Sequence, residues 1–384
     1  MRTYLINESY DVQQAEETIR LLEKPLTVSD APKEWPRQGI RGVNCQPVAA
    51  FNNNPVNAGM YYTDACFQRL KSFGVNSLRV MIRGDEGTVW CTKDRPPIPA
   101  DDPMAPYRCH LEGLKVALEL AEKYDMWIIP SGDNVVGRQI DYFLQKGDGG
   151  ASGYFESLKQ LWRYIAEQFG RHPRLLAYDL LNEPWTEGEK EHYLHEALPE
   201  LIRLIREVDK NTYLIAEPPP YALPVGFEEM PVYDDPKMVY SPHWYFPHMY
   251  THQGLGAYPR PVTYPGKIRC FPDHPEEYWD RERLKQALAP VREFQLKHNA
   301  RIWVGEFSAI RWAPGAARWL EDSISIFEEY GWSWAFHAYR GWNGWNATFD
   351  AEDPTSNIDD GGKETDRLQV LRRGFARNAA ETEK

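Results

Sequence analysis

Two stretches of the chain, Leu180-Leu181-Asn182-Glu183-Pro184 and Ile302-Trp303-Val304-Gly305-Glu306-Phe307, indicate its architecture most clearly. Each is an apolar run of strand-like composition that breaks off at one glutamate. A charge at that point lies where the strand leaves the core, at the rim of a cavity. Two such glutamates, far apart in sequence, predict a pair of carboxylates that the fold brings together.

From about residue 39 onward, short apolar runs alternate with longer amphipathic stretches, which is typical of βα units on a parallel sheet. In the amphipathic stretches apolar residues recur with the helical period, so that Leu158, Leu161 and Ile165, for example, share one face. We predict eight strands, near residues 39–45, 75–82, 126–131, 175–182, 212–216, 238–245, 301–307 and 332–339.

Eight strands with helical crossovers favour a (β/α)₈ barrel, an α/β fold, over an open sheet. An open sheet would need a glycine-rich phosphate turn after strand one, and residues 46–51 contain no glycine. We therefore predict one barrel domain at residues 39–384, preceded by an N-terminal extension at residues 1–38. Long segments follow strands two, three and six, at the end of the barrel where active sites are built.

The composition argues against some classes of binding partner and for others. The 384 residues carry a formal net charge of −12, which argues against binding a nucleic-acid backbone. No stretch approaches 18 consecutive apolar residues, so no membrane partner is expected. The 14 Trp and 22 Tyr supply flat rings on which the apolar faces of sugars can stack, although packing in the core would also use such rings.

The five cysteines contain no Cys-x-x-Cys pair, which excludes a zinc ribbon or a thioredoxin-like site. Cys91 and Cys109 bracket a proline-rich segment and either form a disulfide or remain free thiols. The first eight residues lack the apolar run of a signal peptide. Action on a polymer favours secretion if a signal peptide has been removed; otherwise a cytoplasmic location is expected.

The two glutamates suit acid/base and nucleophilic chemistry on a sugar bond. Glu183 ends strand four and Glu306 ends strand seven, on nearly opposite sides of the barrel mouth. Their carboxylates are expected about 5 Å apart, the separation found in retaining glycoside hydrolysis. In that reaction one carboxyl must be protonated and the other ionised. The alternative for either glutamate is a helix cap or an ion pair with an arginine.

Five motifs in order resemble the glycoside hydrolases of family five, over residues 39 to about 345. They are Arg41-Gly42-Val43-Asn44, Leu78-Arg79-Val80, Asn182-Glu183-Pro184, His243-Trp244-Tyr245 and Gly305-Glu306-Phe307. The resemblance implies a retaining β-glycosidase on a (β/α)₈ barrel. By the same resemblance Glu183 is the acid/base, Glu306 is the nucleophile and Asn182 hydrogen-bonds the sugar 2-hydroxyl.

The resemblance also implies supporting residues. Arg79 would lie beside Glu306 and keep it ionised, because a nearby cation lowers a carboxylate pKa. Tyr245 would donate a hydrogen bond to Glu306, and His243 would lie near Glu183 and influence its protonation. Each has an ordinary alternative: a buried ion pair for Arg79, packing for Tyr245, and a satisfied core histidine for His243.

The chain departs from the family pattern at two strands. Strand three lacks the histidine that many members carry at its end, and Asp133 or Asn134 is expected in that space. On strand eight, where many members place a tryptophan as the floor of the cleaved-sugar subsite, Trp334, His337 and Trp342 are all close. We predict Trp342 for that role, because it follows the strand instead of lying within it.

Further aromatic and polar residues are candidates for substrate binding. Trp185 follows Glu183, Trp312 follows Glu306, and both are predicted to stack on sugars. His243, His248 and His252 match no usual zinc spacing, so His248 and His252 are predicted to line a sugar subsite, with no metal and no cofactor. Glu217 ends strand five and precedes three prolines, without an assigned role.

The predicted activity is internal cleavage of β-1,4-glucan, an oligo- or polysaccharide. Hydrolysis of β-1,4-mannan and exo-acting release of single sugars remain alternatives on the same scaffold. A non-catalytic carbohydrate-binding barrel would be expected to lack one of the two glutamates. A metal- or phosphate-dependent lyase or isomerase would need ligand motifs that this sequence lacks. The sequence does not indicate the oligomeric state.

Overall fold

The computed structural model describes residues 12–45, 62–84, 101–133, 151–184, 190–256, 258–339, 344–349 and 364–379. Its strands are β1 Arg41–Cys45, β2 Ser77–Ile82, β3 Trp127–Gly132, β4 Ala177–Asp179, β5 Tyr213–Ala216, β6 Met238–Tyr240, β7 His243–Trp244, β8 Gly266–Arg269, β9 Glu276–Trp279, β10 Trp303–Phe307 and β11 Ser333–Tyr339. Its α-helices are α1 Val12–Glu23, α2 Asp64–Phe73, α3 Arg108–Tyr124, α4 Ala151–Phe169, α5 Leu198–Val208, α6 His248–Thr251, α7 Arg281–Ala287, α8 Ala289–His298, α9 Ala316–Tyr330 and α10 Asp366–Phe375. A helical turn, Lys190–His192, and a π-helical turn, Tyr193–Ala197, lead directly into α5.

Nine of the strands form one parallel sheet in the order β6-β5-β4-β3-β2-β1-β11-β10-β7. β6 pairs with β5, and β7 pairs with β10. The two short strands β6 and β7 therefore together form one barrel strand, which lies between β5 and β10. A parallel bridge between Tyr240 and Ile302 joins the two ends. The predicted (β/α)₈ barrel is confirmed, and the sixth predicted strand is interrupted between Tyr240 and His243.

The barrel strands are buried on both faces, as expected for a parallel sheet covered by helices. Inward-pointing side chains from several strands, among them Ile129, Ile215 and Trp303, form a separate apolar cluster inside the barrel. The outward faces pack against the helices in the main core. The barrel interior is therefore filled, which leaves the strand ends free to carry polar groups.

The segment between α1 and β1 closes the N-terminal end of the barrel. Trp35 joins the interior cluster, and its backbone N–H donates to the Tyr213 hydroxyl over 2.9 Å. Lys33 is also buried, and its Nζ donates to the Gly170 carbonyl and the Thr212 hydroxyl. We propose that residues 1–38 serve as an extension of the barrel, as the sequence predicts, instead of a separate unit.

Helix α5 illustrates why the helices form where the sequence predicts them. Leu198, Leu201, Ile202 and Ile205 are buried along one face. Among the described residues, no helix combines the length and apolar composition needed to cross a bilayer.

An ion pair lies near the opposite end of the barrel from the predicted site. Nε and Nη2 of Arg41, at the start of β1, donate to the two carboxylate oxygens of Glu328 in α9 over 2.6 and 2.7 Å. The indole N–H of Trp334 donates to the same carboxylate over 2.9 Å. The group links a strand and a helix from the two ends of the chain.

The cysteines give no support to the disulfide alternative. Cys109 carries a free thiol, and Cys91 lies outside the described residues. The Sγ atoms of Cys45 and Cys66 are 4.0 Å apart, beyond bonding distance.

The long segments after strands two and three fall largely outside the described residues. The one after strand six is described almost completely. It contains α6 and a two-stranded antiparallel hairpin, β8–β9.

Candidate active site

A cavity of about 690 Å³ opens at the C-terminal ends of the barrel strands. Its lining includes Glu183 and Asn182 after β4, Glu306 on β10, Tyr245 after β7 and His337 on β11. These residues come from four strands that are far apart in sequence. Because all the strands are parallel, their C-terminal ends converge on one edge of the barrel.

Glu183 and Glu306 face each other across this cavity. Together with a ring nitrogen of His243, one carboxylate oxygen from each lies within 4.8 Å of the others. That separation is close to the roughly 5 Å found in retaining enzymes, in which one carboxylate attacks the sugar carbon directly. It is shorter than the roughly 6.5–9.5 Å of inverting enzymes, in which a water molecule fits between the carboxylate and the sugar.

The carboxylate of Glu306 is held by donors on both oxygens. Nη1 of Arg79 donates to Oε1 over 2.5 Å, and the Tyr245 hydroxyl donates to Oε2 over 2.8 Å. Burial would raise the pKa of Glu306, but His337, His243 and Arg79 lower it to about 2. Since burial also lowers the pKa of His337, Arg79 and His243 are the cations that keep Glu306 ionised near neutral pH.

Glu183 has a different environment. Its side chain is 35% exposed within the cavity, and Oε1 lies 2.8 Å from Nδ1 of His243. Partial burial raises the pKa of Glu183, and Glu306 adds to this effect, whereas His243 opposes it. The pKa values of the two carboxyl groups therefore move in opposite directions. Glu183 is suited to carry a proton, and Glu306 is suited to remain an anion.

Arg79 lies fully buried at the centre of the site. Besides Glu306, its guanidinium donates to Asp179 Oδ2 (2.7 Å), Asn182 Oδ1 (2.8 Å), Ser131 Oγ (2.9 Å), Asn44 Oδ1 (3.1 Å) and Glu217 Oε1 (3.1 Å). These contacts fix the rotamers of side chains from several strands. Asn182 is thereby left with its amide nitrogen on the cavity side, where it donates to Asp133 over 3.3 Å.

The close approach of β7 and β10 depends on Gly305. A Cβ at this position would lie 2.6 Å from the Ser241 hydroxyl and 3.1 Å from Nε2 of His243. The absence of a side chain therefore leaves room for the His243 ring beside β10, where its Nδ1 lies 2.8 Å from Glu183 Oε1.

Three predicted substrate-binding residues line the cavity: Asp133, His248 and His252. Asp133 accepts a hydrogen bond from Nε of Arg83 over 2.5 Å. The rings of His248 and His252 stack with centroids 3.8 Å apart. Burial lowers the pKa of His248 to about 4 and that of His252 to about 3, so both are neutral near pH 7 and can offer apolar ring faces to a ligand.

One other predicted binding residue, Trp312, is described and is not part of the cavity lining. Its indole N–H donates to the Gln253 carbonyl over 2.8 Å. A stacking role for it would need a subsite beyond this lining. Asn134, Trp185 and Trp342 lie outside the described residues.

The eighth strand of the barrel, β11, contributes His337 to the cavity lining, whereas the tryptophan within that strand, Trp334, does not line the cavity. Trp334 is fully buried and points to Glu328, away from the cavity. His337 lines the cavity, with Nδ1 at 3.2 Å from Oε2 of Glu306. Trp345 also lines it, and its ring centroid is 5.7 Å from that of Tyr245.

Sequence reasoning did not predict Trp345 and Arg83, which line the cavity, and it named Glu217 without a role. Trp345 is close to Trp342 in sequence, and only spatial position distinguishes the two. Arg83 directly follows β2, a location that could have identified it. Glu217 follows the apolar strand β5 just as Glu183 follows its own strand, so the same signature marked it without revealing its contacts.

Only one set of side chains among the described residues could hold a metal ion: Glu183, His243 and Glu306. Nη1 of Arg79 already contacts Glu306 there, so a cation at that point would face an existing positive charge. His248 and His252 do not belong to this set, and a sugar-binding role for them stays a prediction.

Comparisons with known proteins agree with this geometry. The family model of the cellulases, glycosyl hydrolase family 5, matches residues 40–348. Endoglucanase C of Acetivibrio thermocellus is 29% identical over 265 residues, which are 62% of this chain and 75% of that protein. Cellodextrinase A of Ruminococcus flavefaciens is 24% identical over 233 residues, 56% of this chain and 63% of that protein.

A solved structure of a hyperthermophilic endo-beta-1,4-glucanase in complex with substrate has the same fold. Its TM-score to this chain is 0.65 at 22% sequence identity, and the match covers 88% of this chain and 98% of that one.

Proposed function

Because the chain belongs to glycosyl hydrolase family 5, we propose that it is a retaining β-glycoside hydrolase that cleaves β-1,4-glucan internally. One observation carries the proposal: two carboxyl groups of different acidity whose oxygens lie within 4.8 Å of one another across an open cavity.

In the first step an oxygen of Glu306 attacks the anomeric carbon and forms an ester. The bond from that carbon to the leaving oxygen breaks, and Glu183 gives its proton to that oxygen. The hydrogen bonds from Arg79 and Tyr245 keep Glu306 ionised and oriented before the attack. Asn182, already fixed by Arg79, is available to bind the sugar 2-hydroxyl.

In the second step water adds to the same carbon. Glu183, now ionised, takes a proton from the water, and the ester bond to Glu306 breaks. Both displacements invert the carbon, so the product keeps the β configuration. Near His243, Glu183 can exist in both protonation states, since the imidazole lowers the carboxyl pKa that burial raises.

The substrate class follows from the family and from the cavity wall. Family 5 cellulases act on polysaccharides, and the similar Endoglucanase C supports a glucan. Neutral rings of His248, His252 and Trp345 line the cavity and offer faces for sugars. No metal and no cofactor is needed in this scheme, so treatment with a chelator should leave the rate unchanged.

The decisive experiment replaces Glu306 by Ala and adds azide. Azide is expected to restore turnover and to give an α-glycosyl azide, because the small anion enters the space of the lost carboxylate. Hydrolysis by Glu306→Ala at the wild-type rate would refute the assignment of the nucleophile.

A panel of glucan, mannan and xylan, with new reducing ends and viscosity both measured, tests the substrate. A rapid fall in the viscosity of soluble glucan is expected for internal cleavage. Release of only short products without that fall would indicate exo action, and preference for mannan would replace glucan as the substrate.

A further inference from the structure

Glu217 lies directly after β5, behind the cavity wall. It is fully buried and does not belong to the cavity lining, so it cannot touch a substrate bound there. A carboxyl group in such a place needs partners for its charge. Its partners are all parts of the catalytic arrangement.

The first contact is to the backbone of Glu183. Oε2 of Glu217 accepts a hydrogen bond from the Glu183 N–H over 2.7 Å. Glu183 has a φ of 46°, in the left-handed region that residues other than glycine seldom adopt. Such a conformation persists only when its surroundings hold it, and this buried acceptor is one of the holding contacts.

The second contact is to His243. Nε2 of His243 lies 3.1 Å from Oε1 of Glu217, while Nδ1 of the same ring lies 2.8 Å from Oε1 of Glu183. The imidazole thus lies between the two carboxyl groups: Nδ1 is hydrogen-bonded to Glu183, whereas Nε2 is at ion-pair distance from Glu217 without the geometry of a hydrogen bond. The protonation of each group affects the others through this ring.

The charged groups around Glu217 come from four strands, and the Tyr193 hydroxyl donates to the Glu217 carbonyl over 3.3 Å. The charged groups are Arg79 on β2, Asp179 on β4, Glu183 after β4, His243 on β7 and Glu306 on β10. Burial alone would lower the pKa of His243, but the carboxylates of Glu217 and Glu306 raise it well above its usual value. Burial and Asp179 raise the pKa of Glu217 to about 7, whereas His243 and Arg79 lower it, so the ionisation of Glu217 near neutral pH depends on the two cations that it faces.

We propose that Glu217 is a positioning residue that sets the proton affinity of Glu183 through His243 and holds the backbone of Glu183 in its left-handed conformation. This inference rests on the proposed function, in which Glu183 is the acid/base. Glu217 acts by keeping His243 doubly protonated, and the imidazolium in turn favours the ionised form of Glu183.

The test is Glu217→Gln, which keeps the side-chain volume and one acceptor oxygen but removes the charge. With Glu217 neutral, His243 loses its strongest anionic partner and its proton, so Glu183 loses a neighbouring cation. The pKa of Glu183 should therefore rise, and the alkaline limb of the kcat/KM profile should move up by about one pH unit.

The titration is also measured without turnover, from the ¹³C signal of the Glu183 carboxyl group in glutamate-labelled protein. Glu183→Gln identifies that signal. If the wild-type protein cleaves no β-glycan, the proposed function fails, whereas the carboxyl titration still tests Glu217. If a correctly folded Glu217→Gln shows an unmoved Glu183 titration, the inference is overturned.

Two controls separate this role from general stabilisation. Asp179→Asn removes another buried carboxylate from Arg79 but leaves the contacts of Glu217 to Glu183 and His243 in place. Because Asp179 raises the pKa of Glu217, its loss favours the ionised form of Glu217, and the alkaline limb should not move up. In a His243→Gln background, adding Glu217→Gln should give no further shift, because the connecting ring is gone.

A measurement on the wild-type protein covers the case in which the variant does not fold. ¹⁵N spectra of histidine-labelled protein should show His243 protonated on both nitrogens at pH 7. A neutral imidazole at that pH would overturn the inference.

Discussion

Nη1 of Arg79 donates a hydrogen bond to Oε1 of Glu306 across 2.5 Å, inside a region where both side chains are almost fully buried. A charge pair in such a place is weakly screened by water. Arg79 therefore contributes, with His243, to the ionisation of Glu306 and fixes its orientation, and its replacement should affect the reaction more than the shape of the cavity.

Arg79→Gln should move the acidic limb of kcat/KM to higher pH by one unit or more. Removing the cation raises the pKa of Glu306, which then protonates at a higher pH and cannot attack. At neutral pH we expect a loss of about 10²- to 10³-fold in kcat. Arg79→Lys keeps the positive charge, so the acidic limb of its kcat/KM profile should lie close to that of the wild type. Equal shifts of this limb in both variants would contradict the role of the charge.

Tyr245→Phe should lower kcat by about tenfold or more, because Glu306 loses the hydrogen bond to Oε2. Tyr250→Phe is the matched control, since Tyr250 is also buried and its hydroxyl donates to the Pro314 carbonyl outside the cavity lining. Steady-state kinetics of both variants would decide the matter. Similar losses in the two would mean that Tyr245 acts only through packing.

Glu183→Ala should distinguish substrates by their leaving groups. Cleavage of glucan, whose leaving alcohol needs a proton, should fall by about 10²- to 10⁴-fold. Attack by Glu306 on an aryl glycoside with an acidic phenol should change little, and added azide should accelerate the release step and give a β-glycosyl azide. A uniform loss on both substrates would argue against proton donation by Glu183.

Trp345→Ala should raise KM for oligosaccharides by about tenfold, because the cavity loses a ring on which a sugar can stack. Trp312→Ala serves as its control, since Trp312 lies outside the cavity lining and is held by Gln253. Binding of oligosaccharides measured by calorimetry checks both. A larger effect at Trp312 would indicate a subsite beyond the described lining.

Arg41→Met should destabilise the fold without affecting catalysis. It leaves the partly buried carboxylate of Glu328 without its main partner, and we expect a loss of about 3 kcal/mol in the free energy of unfolding. Urea titration together with kcat measures the two quantities. A loss of kcat as large as that of Arg79→Gln would contradict the expectation that Arg41 contributes to stability and not to catalysis.

The same variant has a predictable pH dependence. Burial would raise the pKa of Glu328, but hydrogen bonds from Arg41 and Trp334 lower it below its usual value of 4.5. A lowered pKa contributes stability above about pH 4.5 that is lost as the pH falls through the folded-state value. The difference between wild type and Arg41→Met should therefore shrink below pH 4.5.

The sequence by itself determined the strands, the barrel and the two facing glutamates. These features depend on local properties: the period of apolar residues defines each element, and a charge at a strand end must lie at the barrel rim. Arg79, His243 and Tyr245 are assigned to the site by the resemblance of their motifs to those of family five, and each lies within a predicted strand.

Only the tertiary structure decided which rings and charges meet there. Trp312 and Trp345 both follow barrel strands, yet only Trp345 lines the cavity. Glu217 has the same local signature as Glu183, yet it lies behind the wall and contacts His243. Which side chains become neighbours depends on the stagger of adjacent strands and on the turns between them. Both bring together residues from separate parts of the chain, so no single stretch of sequence predicts the contact.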